Sequence, residues 1–301
     1  MRPTLKTSSP SRPASTIGWS CNTGRSRSVW SVNVATPHGR WEWTGYGQTD
    51  RGLVRSSNQD AFLVDNRRRL WAVADGMGGH PGGDVASRIV MDTLADFSPS
   101  LIRGSVNPSD DQAGHQSFLL TTMAEQAHAA VRAYADRHPP FYGMGTTLVM
   151  AHLLPEPTPQ LLVLNVGDSR AYLVRAGHIT QVTRDHTLIA DYVRDGTLTP
   201  EQAARHPDRH VLTRAIGLDV TVDSDLFTLE LRTGDLLLLC SDGLSNMLPD
   251  ERLLEIAHSH RDNPPLTTHA LIQAAIDTGG IDNITVVACT VTGTPDQGNI
   301  H

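Results

Sequence analysis

The sequence predicts an α+β fold in which sheet is surrounded by helices. Apolar runs of strand length and amphipathic runs of helix length come in blocks: strands, two helices, strands, two helices, strand. That order is not the strict alternation of a parallel α/β fold. The chain has 301 residues, 39% of them apolar, which suits one large domain or two small ones with a packed core. No internal repeat is visible, and no apolar run approaches the roughly 18 residues needed to span a bilayer.

Residues 1–45 are rich in Ser, Thr, Arg and Pro and lack periodicity. Such a composition cannot bury enough surface to offset chain entropy, so a disordered tail is expected over 1–45. Its Arg- and Ser-rich make-up also resembles a transit peptide, and a start codon placed too early is an equal alternative. The folded domain is expected over 46–293, followed by a short tail at 294–301.

Strands are expected at 61–65, 70–75, 146–154, 160–177, 227–243 and 283–291. The run at 160–177 reads as two strands joined at "GDS", three turn-favouring residues in a row. Helices are expected at 83–97, with Val85, Ile89, Met91 and Leu94 near one face, and at the Ala-rich 117–137. A third, 250–260, opens with acids and ends with His, as a helix dipole favours. A fourth, 265–280, has Pro at its start and Gly at its end.

Net charge is −7, unevenly spread: residues 1–41 hold six basic residues and no acid, which leaves −13 on the remainder. An acidic body argues against duplex nucleic acid as a partner, because phosphate contacts need clustered basic charge. Cys21, Cys240 and Cys289 lack metal-ligand spacing, and the last two sit in apolar runs. A sparse, odd count suits a reducing compartment.

Chemistry concentrates where strands end. Asp75 closes "LWAVA" and precedes Gly76; Asp242 closes "LLLLCS" and precedes Gly243; Asp282 opens "DNITVVACTV"; Asp168 lies in "NVGDSR". If those strands lie side by side, the acids converge on one rim and repel one another. A divalent cation relieves that, and carboxylate and carbonyl donors without His or Cys suit Mg²⁺ or Mn²⁺, not Zn²⁺. Gly76, lacking Cβ, would let its carbonyl approach a metal. Each Asp-Gly alone is a common hairpin turn; their joint occurrence brings the metal reading level with the turn reading. Arg55, in "RSSNQDAF", could grip a phosphate with parallel hydrogen bonds, or pair on the surface with Asp60 or Asp50. Hard cations with an Arg read as phosphoryl chemistry, with a water activated for in-line attack.

The ordered set "RSSNQDAF", "VADGMGGH", "GTTLV", "NVGDSRAYLVRAG", "TRDHTL", "VLTRAIG", "LLLLCSDGL" and "DNITVV" resembles the metal-dependent protein phosphatases of type 2C, in the small bacterial form. The resemblance runs from about Gly47 to about Val291. It implies a four-layer α-β-β-α sandwich, a central antiparallel β-sandwich flanked by helix pairs. Two Mg²⁺ or Mn²⁺ ions would lie at one end between the sheets. By resemblance, Asp75 bridges both ions, Gly76 offers its backbone carbonyl, and Asp242 and Asp282 complete the first ion's ligands. Asp168 and Asp242 match acids that hold a weaker third ion. Arg55 matches the phosphate-binding Arg, and Asp60 an acid beside the metals. Gln59 departs from the pattern, standing where some members carry an acid. Residues 187–214 resemble the family's flap, and "TPEQ" within them reads as a helix start.

The animal members carry a His, proposed as proton donor, where this chain has Met77, and a thioether cannot donate a proton. His80 lies past two glycines, and His186 reads as a contact on the hinge side of the flap. The resemblance implies hydrolysis of phosphoserine and phosphothreonine in proteins, with Ser/Thr kinases and their substrates as partners. A monomer in the cytoplasm, without nucleic-acid or membrane partners, is expected. A phosphoprotein-binding module with lost chemistry would be expected to lack one of the carboxylates, and none is missing. A hydrolase of small phosphate esters is the remaining alternative.

Overall fold

The structure, a computed structural model, describes residues 41–77, 82–103, 112–154 and 160–293. Residues 1–40 of the tail expected over 1–45, the tail expected at 294–301, Cys21 and His80 lie outside the described residues. Two five-stranded antiparallel sheets form the centre. The first runs in the order β1 (Trp41–Asp50), β10 (Ile284–Gly293), β9 (Leu236–Cys240), β6 (Arg170–Arg175) and β7 (His178–Gln181). The second runs β2 (Asp60–Asp65), β3 (Leu70–Asp75), β4 (Leu148–Leu153), β5 (Gln160–Val166) and β8 (Asp225–Glu230). Helices α1 (Gly83–Arg103) and α2 (Gln112–Arg137) cover the second sheet, and α6 (Asp250–His260) and α7 (Pro264–Asp277) cover the first. The expected four-layer sandwich is what forms.

Side-chain alternation builds the layers, although several strands are apolar throughout. In β3, Leu70, Ala72 and Ala74 face α1 and α2, while Trp71 and Val73 face the other sheet. In β9, Leu236, Leu238 and Cys240 face α6 and α7, while Leu237 and Leu239 meet Trp71 and Val73 between the sheets. Strands buried on both faces read as continuous apolar runs for this reason.

Several expectations need correction. The boundary at residue 46 falls inside β1, whose ladder with β10 begins at Trp41 opposite Gly293. The run at 227–243 divides: β8 and β9 lie in different sheets, separated by a turn in which the Arg232 N–H donates to Asp235 Oδ2 at 2.7 Å and Gly234 has φ +85°. On α1 the fully buried stripe is Ala86, Val90, Met91 and Leu94, with Val85 and Ile89 at its margin. That helix also continues past Pro99, which cannot donate to the Ala95 carbonyl; the Ser98 hydroxyl donates there instead, at 2.9 Å. Among the described residues, no helix is long and apolar enough to cross a membrane.

Candidate active site

Register places the acids. Arg170 lies opposite Cys240 in the β6–β9 pair, so Asp168 and Asp242 overrun the same end of it. Val286 lies opposite Cys240 on the other side, which brings Asp282, just before β10, to that end too. In the second sheet Asp60 and Asp75 face each other directly across β2 and β3. Asp60 Oδ2 accepts the Ser241 hydroxyl at 2.8 Å and the Thr285 hydroxyl at 2.6 Å, both from the first sheet. The two sheets are thereby tied together at the rim that holds the acids.

Hydroxyl and amide groups brace each carboxylate-bearing turn. The Asp75 N–H donates to Thr147 Oγ1 at 2.9 Å, and its carbonyl accepts from Thr146 Oγ1 at 2.8 Å and the Thr147 N–H at 2.9 Å. Thr147 Oγ1 in turn meets Ser169 Oγ at 2.7 Å, linking the Asp75 and Asp168 turns. Asn283 donates to the carbonyls of Arg51 and Ser57, both at 2.9 Å, and accepts the Gln59 N–H at 2.8 Å. Sequence reasoning did not single out Ser241, Thr285, Thr146, Thr147 or Asn283. For three of them the signal was there: "CSDG" and "DNIT" each set a hydroxyl or amide residue in or beside an acid-bearing turn, whereas "GTTL" has no acid near it and meets Asp75 only through the fold.

Gly76 is required by crowding. A Cβ there would lie 2.3 Å from the Gly83 carbonyl oxygen and 2.6 Å from that of Gln59. Gly243 is tighter still, at 1.9 Å from the Asn283 carbonyl oxygen. These approaches bring the start of α1 against Gly76 and the start of α5 (Asp242–Ser245) against the start of β10.

Electrostatics show an overcrowded anionic cluster. Burial first, and then the charges of Asp60, Asp242 and Asp168, push the Asp75 carboxyl well above the usual range. Burial raises Asp60 to about 7, against the pull of the Thr285 and Ser241 hydroxyls. Burial, with Asp242 and Asp185 nearby, raises Asp168 to about 8. Asp242 is raised by burial and by Asp282.

Arg55 lies at the edge of this cluster, its Nη2 donating to Asp282 Oδ2 at 2.6 Å. The surface pairing with Asp60 or Asp50 considered from the sequence is not what forms. Asp282 holds Arg55 cationic, with smaller contributions from Asp75 and Asp242.

Among the described residues, no three His, Cys, Asp or Glu side chains are already drawn into a closed metal-holding group. Asp282 is turned to Arg55, and Asp60 to Ser241 and Thr285. The donor chemistry nevertheless fits a hard divalent cation. Carboxylates converge without His or Cys, their proton affinity is raised by burial and then by mutual repulsion, and Asp60 Oδ1 is buried without a hydrogen-bond partner.

The histidine and thioether positions are now clear. His186 is buried; its Nδ1 accepts the Gly167 N–H at 3.1 Å and its Nε2 lies 3.4 Å from Asp225. Its own C=O accepts the Thr213 N–H at 2.8 Å, and Thr187 bridges to Leu212, so His186 stands where 187–214 leaves and rejoins the body. Within that excursion, α3 (Leu188–Arg194) is followed by α4 (Pro200–Ala203), which starts at "TPEQ" as expected, with Thr199 and Gln202 forming a capping box. The Met77 N–H donates to the Gly145 carbonyl at 3.0 Å, and its sulfur packs over Gly145.

Comparisons with known proteins agree with this geometry. A family model described as Protein phosphatase 2C matches residues 45–267. The Ser/Thr protein phosphatase PstP of Mycobacterium tuberculosis is 38% identical over 244 residues, 81% of this chain but only 44% of that protein. The chain thus spans less than half the length of that relative. The Ser/Thr phosphatase stp of Listeria innocua is 37% identical over 80% of this chain and 92% of its own length. The crystal structure of M. tuberculosis PstP/Ppp superimposes with a TM-score of 0.71 at 37% identity, covering 82% of this chain and 98% of that one. A PstP catalytic domain in complex with two manganese ions gives 0.70 at 35% identity, covering 84% and 99%.

Proposed function

Because this chain belongs to the protein phosphatase 2C family, we propose that it hydrolyses phosphoserine and phosphothreonine in proteins, opposing Ser/Thr kinases. The observation that carries this is the convergence of Asp60, Asp75, Asp168, Asp242 and Asp282 on one rim with Arg55 at its edge.

Asp75, the Gly76 carbonyl, Asp242 and Asp282 would hold two Mn²⁺ or Mg²⁺ ions, a number that the two manganese ions of the PstP domain support, and Asp168 with Asp242 a weaker third. Such ions would supply charge neutralisation for the phosphoryl group and a nucleophile at neutral pH. The chain's own residues do the rest. Ser241 and Thr285 fix Asp60 beside Asp75. Thr146 and Thr147 fix the Asp75 backbone, and with it the direction of the carboxylate. Arg55 binds the phosphate: a guanidinium has five N–H donors, and the bond to Asp282 uses one. Met77 supplies no proton to the departing alkoxide, so that proton comes from elsewhere.

Free, buried Cys240 and Cys289 support a cytoplasmic, reducing setting, and we take the working unit to be a monomer.

Purified protein with Mn²⁺ should release phosphate from a phosphothreonine peptide, and EDTA should stop the release. Asp75→Ala should lower turnover by at least about a hundredfold, on the scale of losing a group that stabilises the transition state. Without metal-dependent release by the unaltered chain, the proposal fails.

A further inference from the structure

The dipeptides Val54-Arg55 and Ile281-Asp282 are cross-linked by the 2.6 Å bond from Arg55 to Asp282. Ahead of each charged residue stands an aliphatic side chain left in solvent: Val54 is 67% exposed, Ile281 55%, and neighbouring Leu53 65%. Leu53 belongs to the same surface. Its N–H donates to the Gly280 carbonyl at 2.7 Å, and a Cβ on Gly280 would lie 3.2 Å from Leu53 Cγ.

The support beneath is stiff. Gly52, at φ +74°, packs so closely that a Cβ would lie 2.2 Å from the Asp282 carbonyl oxygen. Asn283 ties the Arg51 and Ser57 carbonyls to the same loop. Three aliphatic side chains thus stand in water on a braced backbone at the rim of the site, an arrangement that gains free energy when something apolar covers them.

We propose that Leu53, Val54 and Ile281 form a docking platform for an apolar side chain of the substrate protein, next to its phosphorylated residue. This rests on the reading of the chain as a phosphoprotein hydrolase. Chain continuity selects the occupant. Consecutive Cα atoms are about 3.8 Å apart, so the neighbours of a phosphorylated residue gripped by Arg55 stay within reach of the residues beside Arg55. Arg51 on the same loop adds positive charge, which disfavours a basic flanking residue. The platform is therefore a specificity element: it reads the flank of the phosphorylated residue and leaves the reacting atoms alone.

The test uses the full chain with Mn²⁺ and two phosphothreonine peptides that differ only in carrying Leu or Ser on both sides of the phosphothreonine. p-Nitrophenyl phosphate serves as a flankless substrate. The unaltered chain should prefer the Leu peptide by about tenfold in kcat/KM, and Leu53→Ser with Ile281→Ser should bring that ratio within about twofold, through KM. Turnover of p-nitrophenyl phosphate should not change. A Leu53→Ala/Ile281→Ala pair, milder still at these exposed positions, should shift the ratio in the same direction.

Peptides that the unaltered chain does not distinguish, or variants that keep the full preference, overturn the platform. Variants that dissociate a dimer in sedimentation equilibrium while keeping the preference would assign the surface to a second copy of the chain, and also overturn it. If the unaltered chain hydrolyses none of the three substrates, it is the phosphatase reading that fails.

Discussion

At the residue scale, burial decides which charge state each titratable side chain keeps. The acids of the rim are buried together and bind protons more tightly than usual, which is the chemical form of a demand for cations. His152, on the far side of the second sheet, shows the opposite case. Its Nδ1 lies 3.1 Å from the Arg69 carbonyl and so carries the proton, which leaves Nε2 buried without a partner. Burial lowers its pKa from 6.5 to about 4. Between those values the unfolded chain binds a proton that the folded chain refuses. Stability from this group is complete above about pH 6.5 and falls as the pH drops toward 4, by about 3 kcal/mol in all. His152→Leu removes the titration while filling similar space. Urea unfolding at pH 7 and pH 4 should show the unaltered chain losing more stability than the variant, by about that 3 kcal/mol. Equal losses would mean that His152 is charged at little cost in the folded state.

At the element scale, the site depends on junctions more than on regular structure. Gly243 opens α5 directly against Asn283, between Asp242 and Asp282, and Asn283 is itself committed to Gln59, Arg51 and Ser57. A methyl group there must push α5 away from β10 and part the two acids. Gly243→Ala should weaken Mn²⁺ binding by about 10–100-fold by titration calorimetry, with the far-ultraviolet circular dichroism unchanged. Undiminished affinity would show that the junction does not set the spacing of the acids.

Elements differ in how far they could be read beforehand, for reasons of the same kind. The β5–β6 junction, where the chain crosses from one sheet to the other, was legible because "GDS" interrupts two apolar runs, and α6 because its charges follow the dipole. β1 was hidden, since Gly45 and Gly47 stand where side chains would show alternation; their space is taken by Trp71 and Phe62. β7 has only four residues, two of them exposed, too few for a period to show. The acids of the site were legible from their turns. The Arg55–Asp282 bond was not, because the partners are 227 residues apart and nothing local marks them.

At the scale of the whole molecule, the full length of the first strand stabilises the closed sandwich. β1 contacts β10 over ten register pairs, from Trp41 opposite Gly293 to Asp50 opposite Ile284. Its first half does more than extend the ladder. Trp43 packs against the core between the sheets. The Gly45 N–H donates to Asn66 Oδ1 at 2.8 Å, and its carbonyl accepts from Asn66 Nδ2 at 2.9 Å. That same Asn66 oxygen accepts from Nε1 of the fully buried Trp71 at 2.9 Å. Removing residues 41–45 therefore strips five ladder pairs, uncovers part of the inter-sheet core and takes a brace from the Asn66–Trp71 pair. A chain beginning at Arg40 keeps all of these; one beginning at Tyr46, where composition alone would cut, keeps none. The shorter chain should unfold at lower temperature by about 6–12 °C, since a loss of about 3 kcal/mol moves the midpoint of a domain this size by some 2–4 °C per kcal/mol. Its Mn²⁺-dependent turnover at low temperature should survive, because Asp50 and Arg51, at the catalytic end of the same strand, stay in place. Equal midpoints for the two chains would show that the first five residues of β1 add nothing to closure of the sandwich.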